Sequence, residues 1–282
     1  LSPKIHRKKS KMKNLVSTDW LENNLENVRI LDGTWHMPSD SRNAIEEFSK
    51  QHIKNANFFD LDKNSKQDSL LPHMLPKQKD WEKSISELGI KNSDHIVIYD
   101  NSDIISSCRT WYNFLYFNHN PSLVSVLDGG LKKWIIENKQ TTKELKIFTK
   151  SSYNAKENIK LVLNKNQINL NIENKDFELI DARSKERFDG LSPEPRKNLR
   201  SGSVEGSKNI PFINVINKNN NTFKNREDLK LVFKKFKIDL SKSLAYTCGS
   251  GVTACVLGLA NSIISGKKPV IYDGSWAEYG IK

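Results

Sequence analysis

The sequence predicts an α/β protein made of two tandem domains, each a mostly parallel central sheet flanked by helices. Three observations carry that reading. Short runs rich in Ile, Val, Leu and Tyr alternate with longer amphipathic segments along the chain, the pattern of strand–helix–strand units. The pattern occurs twice, once before residue 138 and again after residue 160, as in an internal duplication. The length, 282 residues, is long for one core and natural for two.

In the first copy, Ser17 or Thr18 caps a short helix that begins Asp19-Trp20-Leu21. Residues 29–32 read as a strand running into Gly33-Thr34-Trp35, and 42–50 as a helix. A strand and turn at 57–62 leads to a polar loop, 63–76, which carries His73-Met74-Leu75-Pro76. A helix at 81–88, closed by Gly89, precedes an apolar strand at 95–100. A helix at 107–117 and a strand at 123–127 lead to Asp128-Gly129-Gly130. Residues 138–160 lose apolar periodicity and read as a linker. The second copy then matches 177–183 to 29–32, 203–213 to 51–61, and 226–236 to the 81–88 helix. It also matches 244–248 to 97–100 and 270–276 to 124–131. The expected domains are therefore 12–137 and 161–282. In this alignment Cys248 stands opposite Asp100.

Residues 1–11 are basic and lack the apolar segment of a secretory signal. They are expected to be a disordered tail, because Met12-Lys13-Asn14-Leu15 resembles a natural protein start. Net charge is +12, from 45 Lys and Arg against 33 Asp and Glu. The lysines are spread out with no aromatic interleave, so no nucleic-acid partner is expected. The charge reads instead as a solvated surface whose field would favour small anions. No apolar run is long enough to span a membrane. The three cysteines, Cys108, Cys248 and Cys255, form neither a disulfide framework nor a zinc spacing, which suits a reducing, cytoplasmic setting. No metal site, Walker loop or dinucleotide fingerprint is present, so no metal or cofactor is expected.

The chemistry concentrates in Cys248-Gly249-Ser250-Gly251-Val252-Thr253-Ala254. Residues 243–247 read as a strand and 252–264 as a helix stopped by Gly266, so Cys248 falls in a strand-to-helix turn. The two glycines are expected to allow positive φ and close backbone approach. Inward amides and a helix N-terminus would stabilise a thiolate there, the nucleophilic form. A protein tyrosine phosphatase uses a similar turn but needs Arg six positions after the cysteine, where this chain has Ala254. Cys255 and Cys108 read as core packing. Arg183 reads as structural, tying Asp181 to the neighbouring domain. Trp276 reads as packing, near enough to Asp273 to help wall a cleft.

The Cys-Gly-Ser-Gly-Val-Thr-Ala loop resembles that of the two-domain rhodanese family, in its 3-mercaptopyruvate sulfurtransferase branch. The thiosulfate-preferring branch usually has basic residues after the cysteine. The resemblance extends from Met12 onward. It implies an N-terminal copy without the cysteine, a C-terminal copy with it, and a site in the cleft between them. It also implies that Cys248 takes sulfur from 3-mercaptopyruvate as a persulfide and passes it to cyanide or a thiol such as thioredoxin. The Phe58-Phe59-Asp60-Leu61-Asp62 and His73-Met74-Leu75-Pro76 segments match the family pattern, which implies an Asp62–His73–Ser250 proton relay. Asp60 lies in the same motif. Pro72 departs from the acidic residue often found there. Substrate-carboxylate binding carries over to Arg187 and Arg196, whose planar forks suit a carboxylate. Gly249, Gly251, Val252 and Thr253 would frame the substrate and the persulfide. Thiosulfate:cyanide transfer and a non-catalytic sulfur-carrier module are the alternatives.

Overall fold

The computed structural model describes residues 12–282; the expected tail at 1–11 lies outside the described residues. In the first domain, strands β1 (Leu15–Val16), β2 (Arg29–Asp32), β4 (Ala56–Phe58), β5 (Ile96–Tyr99) and β6 (Val124–Leu127) form one sheet in the order β1-β6-β5-β2-β4. Every pairing in it is parallel. In the second domain, β8 (Val162–Leu163), β9 (Glu178–Asp181), β10 (Lys208–Asn209), β11 (Leu244–Thr247) and β12 (Ile271–Tyr272) form a sheet in the order β8-β12-β11-β9-β10, again all parallel. The two orders superpose strand for strand. The central strands, Ile96–Tyr99 among them, are apolar at successive positions because a parallel sheet is covered on both faces.

Helices α3 (Gln78–Glu87) and α4 (Ser107–Tyr116) of the first domain belong to the same hydrophobic core as α8 (Arg226–Lys235) and α9 (Thr253–Ser265) of the second. Helix α4 packs directly on α9 and is buried at every position, polar residues included. Smaller cores lie elsewhere. One joins α1 (Thr18–Glu22), α2 (Ala44–Lys50) and α5 (Gly130–Ile136) to the first sheet. The other joins α6 (Lys165–Asn174) and α10 (Ser275–Tyr279) to the second. A short helix, α7 (Lys185–Phe188), follows β9. The capping box of α6, Asn164 with Gln167, starts a helix that the sequence reading passed over.

The domains are cross-latched by equivalent aspartates. Asp128, just after β6, accepts from the Phe223 amide of the second domain at 2.8 Å. Asp273, just after β12, accepts from the Leu75 amide of the first at 2.8 Å. The expected linker is also more than a spacer. Its strand β7 (Thr141–Thr142) pairs antiparallel with β3 (His52–Ile53). Further on, Ser151 and Asn158 bond to the backbone of Ser86 and Tyr116. Tyr153 is buried beside Phe114, stacked on His119 and hydrogen-bonded to it at 3.1 Å. Tyr153→Ala is therefore expected to cost about 3 kcal/mol by opening a cavity. Denaturant unfolding should show that loss, and limited proteolysis should cut first within 140–160.

Candidate active site

Cys248 follows β11 directly, at the carboxyl end of the sheet, where open parallel sheets place their sites. It is buried, with 2% of its surface exposed. Its amide donates to Ser275 Oγ at 3.3 Å, and its carbonyl accepts from the Trp276 amide at 2.9 Å. Beyond it, the amides of residues 249–254 meet no acceptor among the described residues. Free amides leading into a helix N-terminus form a site for an anion. The equivalent turn in the first domain is already filled. There Asp100 accepts from the Ser102 and Ser107 amides, each at 2.9 Å, so its own carboxylate occupies the place.

Gly251 has the left-handed backbone expected of it, φ 77°, but Gly249 does not. What Gly249 supplies is space: a Cβ there would stand 3.1 Å from Arg187 Nη2 and 3.9 Å from Arg196 Nη1. A Cβ on Gly251 would lie 2.8 Å from Arg109 Nη1. Val252, buried, caps α9, and Thr253 is its first residue.

Asp62, His73 and Ser250 come together across the domain boundary. His73 Nδ1 lies 3.0 Å from Ser250 Oγ, and His73 Nε2 lies 3.1 Å from Asp62 Oδ1. Trp35 donates its indole N–H to Asp62 Oδ2 at 2.9 Å and packs edge-on against the His73 ring at 4.6 Å. Asp60 instead accepts from the Lys63 amide at 3.0 Å, capping its own turn. Burial lowers the His73 pKa below 6.5, and Asp62 opposes that shift. The hydrogen bond from His73 holds Asp62 below the ordinary carboxylate value.

Arg187 and Arg196 both face Gly249 but differ in their partners. Arg187 grips Glu194 through Nε at 3.2 Å and Nη2 at 2.6 Å. Arg196 is half-buried, reaches Ser250 Oγ at 3.4 Å, and has no carboxylate partner among the described residues. Burial lowers its pKa, and Arg187 alongside adds to the effect. A charge so placed is suited to an incoming anion.

Three residues enter the site that the sequence reading did not assign. Arg109 on α4 is fully buried. It donates to His73 O at 2.6 Å, Asp273 Oδ1 at 2.7 Å and Gly251 O at 3.3 Å. Asp273 and Glu194 are the other two. Arginine inside a helix ordinarily reads as surface, so no local signal marked Arg109. Glu194 in the Pro-Glu-Pro-Arg segment was visible only as a neighbour of Arg196. Arg183 is structural as expected, but it does not reach the other domain. It bonds to Asp181, Glu194 and Gly202 O, all in its own domain, and lies over Trp276. Cys255 donates Sγ–H to Gly251 O at 3.2 Å, and burial pushes its thiol up to about 12. Burial likewise raises Cys108.

The rhodanese-like domain family matches residues 17–137 and 164–282. The chain belongs to the rhodanese family. It is 39% identical over 288 residues to thiosulfate/3-mercaptopyruvate sulfurtransferase 1, mitochondrial, of Arabidopsis thaliana, covering 94% of this chain and 75% of that one. It is 36% identical over 274 residues to the human 3-mercaptopyruvate sulfurtransferase, covering 94% and 91%. The structure of SseA from Escherichia coli, described as a 3-mercaptopyruvate sulfotransferase, superposes with a TM-score of 0.83 at 29% identity, covering 93% and 98%. These relatives transfer sulfur, and this rhodanese is an enzyme of the sulfurtransferase class. Among the described residues no helix is long and apolar enough to cross a membrane.

Neutral imidazole is the form that accepts a proton. If His73 takes a proton in turnover, as the resemblance implies, activity is expected to hold as pH falls to 6.5 and to fail only below it, because burial depresses the His73 pKa. Asp62 raises that pKa, so Asp62→Asn should move the acid limb to lower pH and lower the plateau. A kcat/KM profile with an unmoved limb would remove Asp62 from the relay.

Proposed function

We propose that this rhodanese takes sulfur from 3-mercaptopyruvate through a Cys248 persulfide. The observation that carries the reading is the hydrogen-bonded series Asp62–His73–Ser250, which ends two residues from the nucleophile. In 3-mercaptopyruvate the Cys248 thiolate attacks the substrate sulfur, and an S–S bond forms as the C–S bond breaks. The bonding pair goes to C3 as the pyruvate enolate. The proton of the substrate thiol must then reach C3, leaving a persulfide anion and pyruvate. A hydroxyl backed by a carboxylate-oriented imidazole can carry that proton. Thiosulfate cleavage releases sulfite and moves no proton, so it has no need of a relay.

The persulfide anion would lie among the free amides of the Cys248 loop, framed by Gly249, Gly251, Val252 and Thr253. Arg196 and the free edge of Arg187 would take the donor's carboxylate and keto oxygen. An acceptor thiol, RSH, then takes the outer sulfur to give RSSH and restores the thiolate. A small thiol, cyanide or a thioredoxin-like dithiol would serve. The free thiols Cys108, Cys248 and Cys255 suit a reducing compartment such as the cytosol.

A second reading takes thiosulfate as donor, favoured by the two guanidiniums facing Gly249, which would attract a dianion. The mass of the intact protein after incubation decides the chemistry. With 3-mercaptopyruvate, Cys248 should gain one sulfur atom and release one pyruvate. No pyruvate, or an adduct on another thiol, rejects the mechanism. Side-by-side turnover should favour 3-mercaptopyruvate over thiosulfate. Arg196→Lys keeps the charge and loses the fork, so steady-state kinetics should show KM for 3-mercaptopyruvate rising about tenfold with a smaller change in kcat.

A further inference from the structure

We propose that Arg109, together with Asp273, is a positioning residue that sets the His73–Ser250 distance by gripping the backbone on both sides of that hydrogen bond. Arg109 does not face the donor. It reaches the relay from behind, out of the buried helix α4.

The geometry is specific. One guanidinium nitrogen, Nη2, donates to the carbonyl of His73 itself at 2.6 Å. The other, Nη1, donates to the carbonyl of Gly251, the residue after Ser250, at 3.3 Å. Asp273 Oδ1 receives Nη2 at 2.7 Å, while its Oδ2 receives the Leu75 amide at 2.8 Å. Both domains' contributions to the relay are thus tied to one planar, rigid group.

Both gripped residues have left-handed backbone: His73 has φ 58° and Gly251 has φ 77°. A histidine there is strained and keeps that shape only when its surroundings impose it. Two of the contacts that hold it are Arg109 on the His73 carbonyl and Asp273 on the Leu75 amide, two residues on. If the grip relaxed, the His73 ring would turn away from Ser250.

Simple cohesion does not account for the arginine. A buried ion pair is a poor stabiliser compared with apolar packing, and Arg109 Nε is buried without an acceptor. The equivalent latch, Asp128 on the Phe223 amide, joins the same two domains with no arginine among the described residues. What only the Asp273 side has is a relay to hold. Although burial pulls on the Arg109 pKa, Asp273 carries it above the ordinary value, so the grip stays charged at every working pH.

This inference rests on the 3-mercaptopyruvate reading, and the test separates the two. In Arg109→Lys the charge remains, but a single ammonium cannot hold both carbonyls. Pyruvate release from 3-mercaptopyruvate should fall about tenfold or more with KM nearly unchanged. Sulfite release from thiosulfate, which needs no proton, should change less than about threefold. In a His73→Ala background the same substitution should cost nothing further, since its route of action is gone.

Asp273→Asn, which keeps an acceptor for Leu75, serves if Arg109→Lys does not fold, and the same donor split is expected. Asp128→Asn, read alongside, should lower the melting temperature yet leave the ratio of the two donor rates unchanged. Equal losses with both donors, or a full further loss in the His73→Ala background, would overturn the positioning role. Wild-type activity in Arg109→Lys would do the same. Wild-type protein that releases no pyruvate would take down the donor reading, and this inference with it.

Discussion

Two segments 177 residues apart meet in a hydrogen bond between His73 and Ser250. Neither domain makes it alone. The imidazole stands on a first-domain loop, and the hydroxyl stands in the turn after β11. A bond of 3.0 Å tolerates little error, so the docking of two whole domains has to be reproducible to a fraction of an ångström. The packing explains how this is met. Helices α4 and α9 share one dense core between the two sheets, and such a core does not slide in small steps. The aspartate latches add directional contacts at its edges.

The duplication also shows how the equivalent turns of the two domains differ. Both domains end their central strand, β5 or β11, in a turn that leads to a helix, α4 or α9. In the first, Asp100 turns its carboxylate onto the turn's own amides, so the anion place is filled by the protein. In the second, the amides of residues 249–254 meet no acceptor among the described residues, and Gly249 leaves room beside it for two arginines. One scaffold thus yields a closed structural turn or an open anion site, according to which side chain sits at the strand end.

Electrostatics follows burial throughout the cleft. Two of the arginines there have carboxylate partners: Arg187 with Glu194, and Arg109 with Asp273. Arg196 has none among the described residues, and burial leaves its pKa below the ordinary value, whereas Asp273 carries that of Arg109 above it. His73, buried between Asp62 and the arginines, stays neutral to lower pH than a free imidazole. The proposed carboxylate-bearing thiol donor would draw on all three features: the imidazole, the Arg196 charge and the amides of the Cys248 loop.

Local pattern made the architecture legible. Periodicity marked most strands and helices, the repeat marked two equivalent units, and the Cys248 loop stood out because glycines and hydroxyls around a thiol are unusual in a core. Helix α6 escaped because its mixed Asn, Ile and Lys pattern is weakly amphipathic, and the linker's pairing escaped because Thr141–Thr142 pairs with residues far away in sequence. The chain by itself determined which side chains exist for chemistry and which turn presents the sulfur, since these depend on neighbours within a few residues. The docked tertiary structure alone decided that Asp62 rather than Asp60 meets His73 and that Gly249 is needed for room rather than for φ. It also decided that a helical arginine lies buried between two carbonyls, because those contacts join atoms whose separation is set by how the domains pack.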